Sequence, residues 1–136
     1  AAADRLTFST SASAASTVSN LSQARFYAGY TGISDGSIYG YVTGGYTTAP
    51  VATSDRLTFS TSVTAASTAS NLSQARYDPA CTSDGSTYGY TSGGYTSGYQ
   101  VTTDRLTFST SVMAARTASN LSVGRYAAAS CSDYAV

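Results

Sequence analysis

The sequence contains no histidine, lysine, glutamate or tryptophan, and only one methionine, two prolines and two cysteines in 136 residues. Without His or Lys there is no Ser-His-Asp or Cys-His relay and no amine base, which excludes triad-type catalysis. Two cysteines and no histidine fall short of a four-ligand zinc set. No Asp-x-Asp-x-Asp-Gly loop offers calcium an oxygen cage, so the expected complement of metals and cofactors is none. A glycosidase would need only two carboxylates. Here, however, Asp35 and Asp84 fall in Asp-Gly turns, and Asp4, Asp55 and Asp104 each precede an Arg. Those contexts suit turns and ion pairs, and the chain reads as non-enzymatic. Charged residues make up 10%, seven Arg against seven Asp, for a net charge of zero. No basic surface therefore asks for nucleic acid, and no apolar run approaches the roughly 18 residues of a membrane-spanning helix. The opening Ala-Ala-Ala-Asp lacks Met, as expected of a processed chain or an excerpt of a longer one.

What the chain does have is repetition. Asp4, Asp55 and Asp104 open the same 22-residue passage, DRLTFSTS through SNLSQAR or SNLSVGR, at separations of 51 and 49 residues. The first two copies differ only at Ala12/Val63, Ser13/Thr64 and Val18/Ala69; the third departs from the second at Met113, Arg116, Val123 and Gly124. A second shared unit, SDGSIYGYVTGGYT from Ser34 and SDGSTYGYTSGGYT from Ser83, lies between the passages. One repeat domain follows, with repeat 1 over 4–54, repeat 2 over 55–103 and a partial repeat 3 over 104–136.

Abundant Ser, Thr and Tyr with few strong helix formers favours strands. In DRLTFST the side chains alternate, Leu57 and Phe59 to one face and Arg56, Thr58 and Ser60 to the other, which predicts a half-buried strand. Tyr88 and Tyr90 share a face across Gly89, and Asp84-Gly85 before them signals a hairpin whose first arm is YDPACTS. The passage TAASTASNLSQAR supplies a fourth segment, read as extended because Ser, Thr and Asn compete with helical hydrogen bonding.

Four short strands per repeat, with Gly-Gly closing the second, resemble the kelch-like repeat of β-propellers. YGYTSGG matches its second strand and diglycine, TTDRLTFSTS its third strand, and SNLSQARY its Arg-bearing approach to the next blade. The chain departs from that pattern at Ala14-Ala15, Ala65-Ala66 and Ala114-Ala115, where a Trp is usual. The resemblance implies an all-β fold of kelch-like β-propeller blades, four-stranded antiparallel sheets forming an incomplete ring. It also implies similarity to arrays in phage tail or fibre proteins and bacterial surface proteins, hence an extracellular or virion-associated setting.

Within such blades, Gly44, Gly45, Gly93 and Gly94 are expected to take positive backbone dihedrals or close packing. Asp55, Arg56, Arg76, Asp104, Arg105 and Arg125 are expected to form a charge ladder between repeats, bidentate Arg pairing fixing their register. Cys81 and Cys131, 50 residues apart, read as free buried thiols. Asn20, Asn71 and Asn120 each begin Asn-Leu-Ser, which is both an N-glycosylation acceptor pattern and a turn-capping position. Tyr39, Tyr41, Tyr88 and Tyr90 are expected between blades, whereas Tyr46, Tyr95 and Tyr99, just beyond the Gly-Gly pairs, are the candidate ligand contacts. Two functions fit. One is a binding module for a glycan or surface protein in adhesion or attachment; the other is a purely structural block of an extracellular fibre or virion appendage. Three blades cannot close a ring, so the expected partners are its own copies, in a homo-oligomer, or the remainder of a longer repeat chain.

Overall fold

The computed structural model describes residues 2–29 and 32–131; the last residues of the partial third repeat, 132–136, lie outside it. The chain is all-β. Ten strands follow in order: β1 (Asp4–Thr7), β2 (Ala12–Ala15), β3 (Ile33–Ser34), β4 (Tyr39–Thr43), β5 (Ser54–Thr58), β6 (Val63–Ala66), β7 (Ala80–Ser83), β8 (Tyr88–Ser92), β9 (Thr103–Thr107) and β10 (Val112–Ala115). They form a two-stranded sheet β1-β2 and two four-stranded sheets, β3-β4-β5-β6 and β7-β8-β9-β10, with every pairing antiparallel. The sheets repeat in register as well as in order. Tyr41 opposes Arg56 on β4–β5 and Tyr90 opposes Arg105 on β8–β9.

Each element has a local cause. The hairpin between β7 and β8 closes through a four-residue loop rather than a two-residue turn. Asp84 Oδ1 accepts the backbone N–H groups of Ser86, Thr87 and Tyr88 at 2.7–2.9 Å. Gly85 there has φ +72, which Gly adopts without steric cost. The fourth segment is extended only over four residues per repeat and then tightens into a single 3-10 turn, Thr68–Ser70 in the second repeat. After that turn, Asn71 Oδ1 accepts the Ser54 N–H at 2.9 Å, and Asn20 and Asn120 do the same for Ala3 and Thr103. Asn71 and Asn120 thus tie the end of each four-stranded sheet back to its third strand, and Asn20 ties the end of β2 back to the residue before β1.

The core lies between the two four-stranded sheets. Ile33 and Tyr41 from the first face Leu106, Phe108 and Met113 from the second. Tyr41 stacks on Phe108 with centroids 6.3 Å apart and an interplanar angle of 23°. A Cβ on Gly89 would collide with the Ile33 side chain, so the bare face of β8 is what lets the sheets meet. Tyr39 and Tyr41 fill this space as expected. Tyr88 and Tyr90 occupy the equivalent places on the outer face of the last sheet and stay half-exposed.

Alternation in DRLTFST holds, but burial differs between identical copies. Phe108 is 7% exposed, Phe59 41% and Phe8 88%. Phe108 has the sheet bearing Tyr41 against it, whereas Phe59, among the described residues, faces the short β1-β2 pair. We therefore expect Phe108→Ala to cost about 3–5 kcal/mol, the usual cavity penalty, and Phe59→Ala less than half of that. Urea unfolding of both variants measures the difference.

Candidate functional site

Two arrangements are built from the repeated phrases, and the first is a joint. Arg76, from the end of the second repeat's passage, places Nη2 2.9 Å from Asp104 Oδ2 at the start of the third; Arg25 Nη1 lies 2.7 Å from Asp55 Oδ2. All four side chains are fully buried. Arg76 Nη2 also donates to the Thr91 carbonyl at 2.9 Å, and Asp104 Oδ2 accepts the Ser73 N–H at 3.1 Å. Burial lowers the Arg76 pKa, and the Asp104 carboxylate works against that shift.

The diglycines fit around the same joint. Gly44 has φ +65 and Gly93 φ +68, and a Cβ at either would lie 2.6–2.7 Å from the carbonyl oxygen of Arg76 or Arg125. Gly45 N–H donates to the Arg76 carbonyl at 3.0 Å and Gly94 N–H to that of Arg125 at 2.9 Å.

Arg56 and Arg105 do not belong to this ladder, which corrects the expectation for the Asp-Arg dipeptides. Each guanidinium lies 4.3 Å over a tyrosine ring, Arg56 on Tyr39 and Arg105 on Tyr88, and Arg56 Nη1 also donates to Ser111 Oγ at 3.3 Å. Neighbouring strand residues point to opposite faces, so Asp enters the joint and Arg turns to the sheet surface. Arg125, the third member of the Arg25 and Arg76 series, is exposed, with no ion-pair partner among the described residues.

The thiols also differ from expectation. Cys81 is buried, with Sγ 3.6 Å from Thr43 Oγ1 and 3.7 Å from Thr91 Oγ1, and burial raises its pKa. Cys131 is exposed, and neither is in a disulfide. Cys81 lies on β7 between Thr43 of β4 and Thr91 of β8, whereas Cys131 lies outside the strands.

The second arrangement is a file of aromatic rings on the diglycine side. Phe26 touches Tyr27 and Tyr46, Tyr46 touches Tyr77, Tyr77 touches Tyr95, and Tyr95 touches both Tyr99 and Tyr126, with every centroid separation between 4.9 and 6.1 Å. Isolated bridges hold it: Tyr46 pairs with Phe26 and Pro50, and Tyr95 with Tyr77 and Tyr99. Of the candidate contacts, Tyr99 is exposed and Tyr46 and Tyr95 are half-buried inside the file. Burial raises the Tyr77 pKa, helped by Tyr95, Asp78, Tyr46 and Tyr126 around it.

At the end of the file Tyr99 and Tyr126 stack at 5.2 Å with only 6° between their planes, 62% and 47% exposed. With Gly124 and Arg125 they line an open depression of about 250 Å³. Gly124 is required there, since a Cβ would lie 2.6 Å from the Tyr99 carbonyl oxygen. No protein-family model matches the chain, and neither does any curated protein. Tyr126, Arg125 and Gly124 were not singled out together by the pattern of motifs. One signal was present: Pro50 and Ala75 of the earlier repeat become Tyr99 and Gly124 in the next, a paired change at two touching positions.

The Asp-Gly loops are a different matter. Burial pushes the Asp84 carboxyl up, but the N–H groups of Ser86, Tyr88 and Thr87 and the Ser86 hydroxyl outweigh it and hold the group below its ordinary value of 3.8. Asp35 is lowered in the same way, burial being outweighed by the N–H groups of Tyr39, Ser37 and Ile38 and its own. A depressed carboxyl contributes stability that is present above 3.8 and is lost as pH falls through the lower folded value. Chemical-denaturation midpoints should therefore drop between about pH 5 and about pH 2, and Asp84→Asn should make that drop shallower.

Proposed function

We propose that the chain is a non-enzymatic repeat module that binds a glycan through the aromatic file, with the corner formed by Tyr99, Tyr126 and Arg125 as its principal contact. The observation that carries this reading is the stacked, half-exposed Tyr99–Tyr126 pair beside an exposed guanidinium. Flat aromatic faces suit the apolar faces of sugar rings, and rigid tyrosines give contact area at little entropic cost. An exposed Arg fork adds a partner for sugar hydroxyls or a carboxylate. The surrounding Ser, Thr and Gly residues supply adaptable hydrogen bonds. Kelch-like propeller blades and an extracellular or virion-associated setting fit the same reading, because such a module presents repeated faces to a surface. A surface protein is the other ligand class compatible with this patch.

The purely structural reading has its own support in the buried joint, which fits successive sheets to one another. The two are separable by experiment. Glycan-array screening of the full chain should find ligands, and Tyr99→Ala with Tyr126→Ala should weaken the best of them roughly tenfold or more, about 1.4 kcal/mol, without changing the unfolding midpoint. Absence of any glycan binding by the folded chain would overturn the proposal.

A further inference from the structure

Six tyrosines of the aromatic file, Tyr27, Tyr46, Tyr77, Tyr95, Tyr99 and Tyr126, touch one another in an unbroken series. One contact differs in kind. The other tyrosine pairs of the file cross at 32° or more, which turns the edge of one ring toward its neighbour. Tyr99 and Tyr126 instead lie 5.2 Å apart with 6° between their planes, so the ring carbons of one face those of the other. Gly124 lets the chain before Tyr126 press against the Tyr99 backbone, and nothing lies within 4 Å of a Cβ at Gly98, beside Tyr99, which leaves the rings room to close further.

The rest of the chain offers few groups that lose an electron more readily. Trp is absent, and Met113 and Cys81 are buried, so among the described residues the tyrosines and the exposed Cys131 thiol are the oxidisable groups. Outside the file, Tyr39 lies 6.4 Å from Tyr41 and Tyr88 lies 6.5 Å from Tyr90, and the first ring of each pair has an Arg guanidinium 4.3 Å over it. A cation held at a ring face opposes removal of an electron from that ring. Among the described residues no guanidinium covers the ring of Tyr99 or Tyr126.

We infer that Tyr99 and Tyr126 form a site of oxidative cross-linking, joined as dityrosine by a one-electron oxidant of the haem-peroxidase class that consumes hydrogen peroxide. Each phenol gives up one electron and one proton. The two phenoxyls join through the ring carbons next to their oxygens, and the hydrogen on each of those carbons moves to the oxygen to restore the ring. One peroxide takes up the two electrons and two protons and leaves as two waters. The new bond closes a loop that contains β9 and β10. In a chain whose two cysteines are in no disulfide, it restrains the unfolded state as a disulfide would.

The test uses the full chain carrying Cys131→Ser, which removes the competing thiol, treated with a haem peroxidase and hydrogen peroxide. The expected product runs as a single chain on denaturing electrophoresis, is lighter by two hydrogens, shows dityrosine fluorescence, and maps by fragment-ion sequencing to Tyr99 and Tyr126. Tyr99→Phe and Tyr126→Phe should each remove it, with circular dichroism matching the parent to show that the missing phenol and not unfolding is the cause. Oxidation of the urea-unfolded chain should lose the preference for this pair. A folded chain that yields no dityrosine, yields it only between chains, or joins another tyrosine pair in preference would overturn the inference. So would undiminished product in either Phe variant. The reaction uses no sugar, so these outcomes stand apart from glycan binding at the same rings.

Discussion

Replacing Arg76 with Ala is expected to destabilise the chain by about 3–5 kcal/mol, the cost of leaving a buried charge without its partner. Asp104 would keep only the Ser73 N–H at 3.1 Å, in a place with no exposure. Asp104→Ala should cost a similar amount, since it strands Arg76 instead. Removing both charges together, as in Arg76→Met with Asp104→Leu, should recover most of the loss, because well-packed apolar replacements of buried ion pairs are often neutral or stabilising. Urea midpoints of the two single variants and the double variant complete the cycle. Additive losses would mean that the pair is not coupled. On this account the pair contributes less to net stability than to register, fixing which residue of one repeat meets which residue of the next.

The other large effect is expected at Gly44. A Cβ there would approach the Arg76 carbonyl oxygen to 2.7 Å and Leu72 Cδ1 to 2.9 Å, on a backbone with φ +65. The left-handed conformation alone costs a non-glycine residue about 1–2 kcal/mol, and forcing an extra methyl into packed surroundings adds roughly 1–3 kcal/mol. Gly44→Ala should therefore lose about 2–5 kcal/mol in chemical denaturation. Gly98→Ala is the control: nothing lies within 4 Å of a Cβ at that position, so it should be close to neutral.

Much of the fold was legible because period-two alternation and turn chemistry are local. Leu106 and Phe108 declare a strand face, Asp84-Gly85 declares a hairpin, and the diglycines declare positive φ. A ladder of Arg and Asp between repeats was suggested by the recurrence, since Asp55 and Asp104 each open a passage that follows an Arg-closed one. The role of Arg105 was not, because a dipeptide does not say which of its two side chains faces the neighbouring sheet. The unequal burial of Phe8, Phe59 and Phe108 is likewise invisible in three identical Leu-Thr-Phe words; it depends on how many strands lie opposite each. At the aromatic file, the sequence marked Tyr46, Tyr95 and Tyr99 as a group. It did not show that Tyr77 and Tyr126, which follow the repeated arginines, insert between them, because isolated bridges such as Tyr77 with Tyr95 leave no periodic trace.

The repeated Asp-to-Arg passage writes a joint that makes successive sheets one cooperative unit. Native-state amide hydrogen exchange tests it most directly, residue by residue. The Gly45 N–H, bonded to the Arg76 carbonyl, and the Ser73 N–H, bonded to Asp104, lie in the joint between the four-stranded sheets. Both should exchange with the same opening free energy as the amides of β9, through global unfolding. If they exchanged through a cheaper local opening while β4 and β9 remained protected, the sheets would be independent and the joint would not be what the repeat encodes.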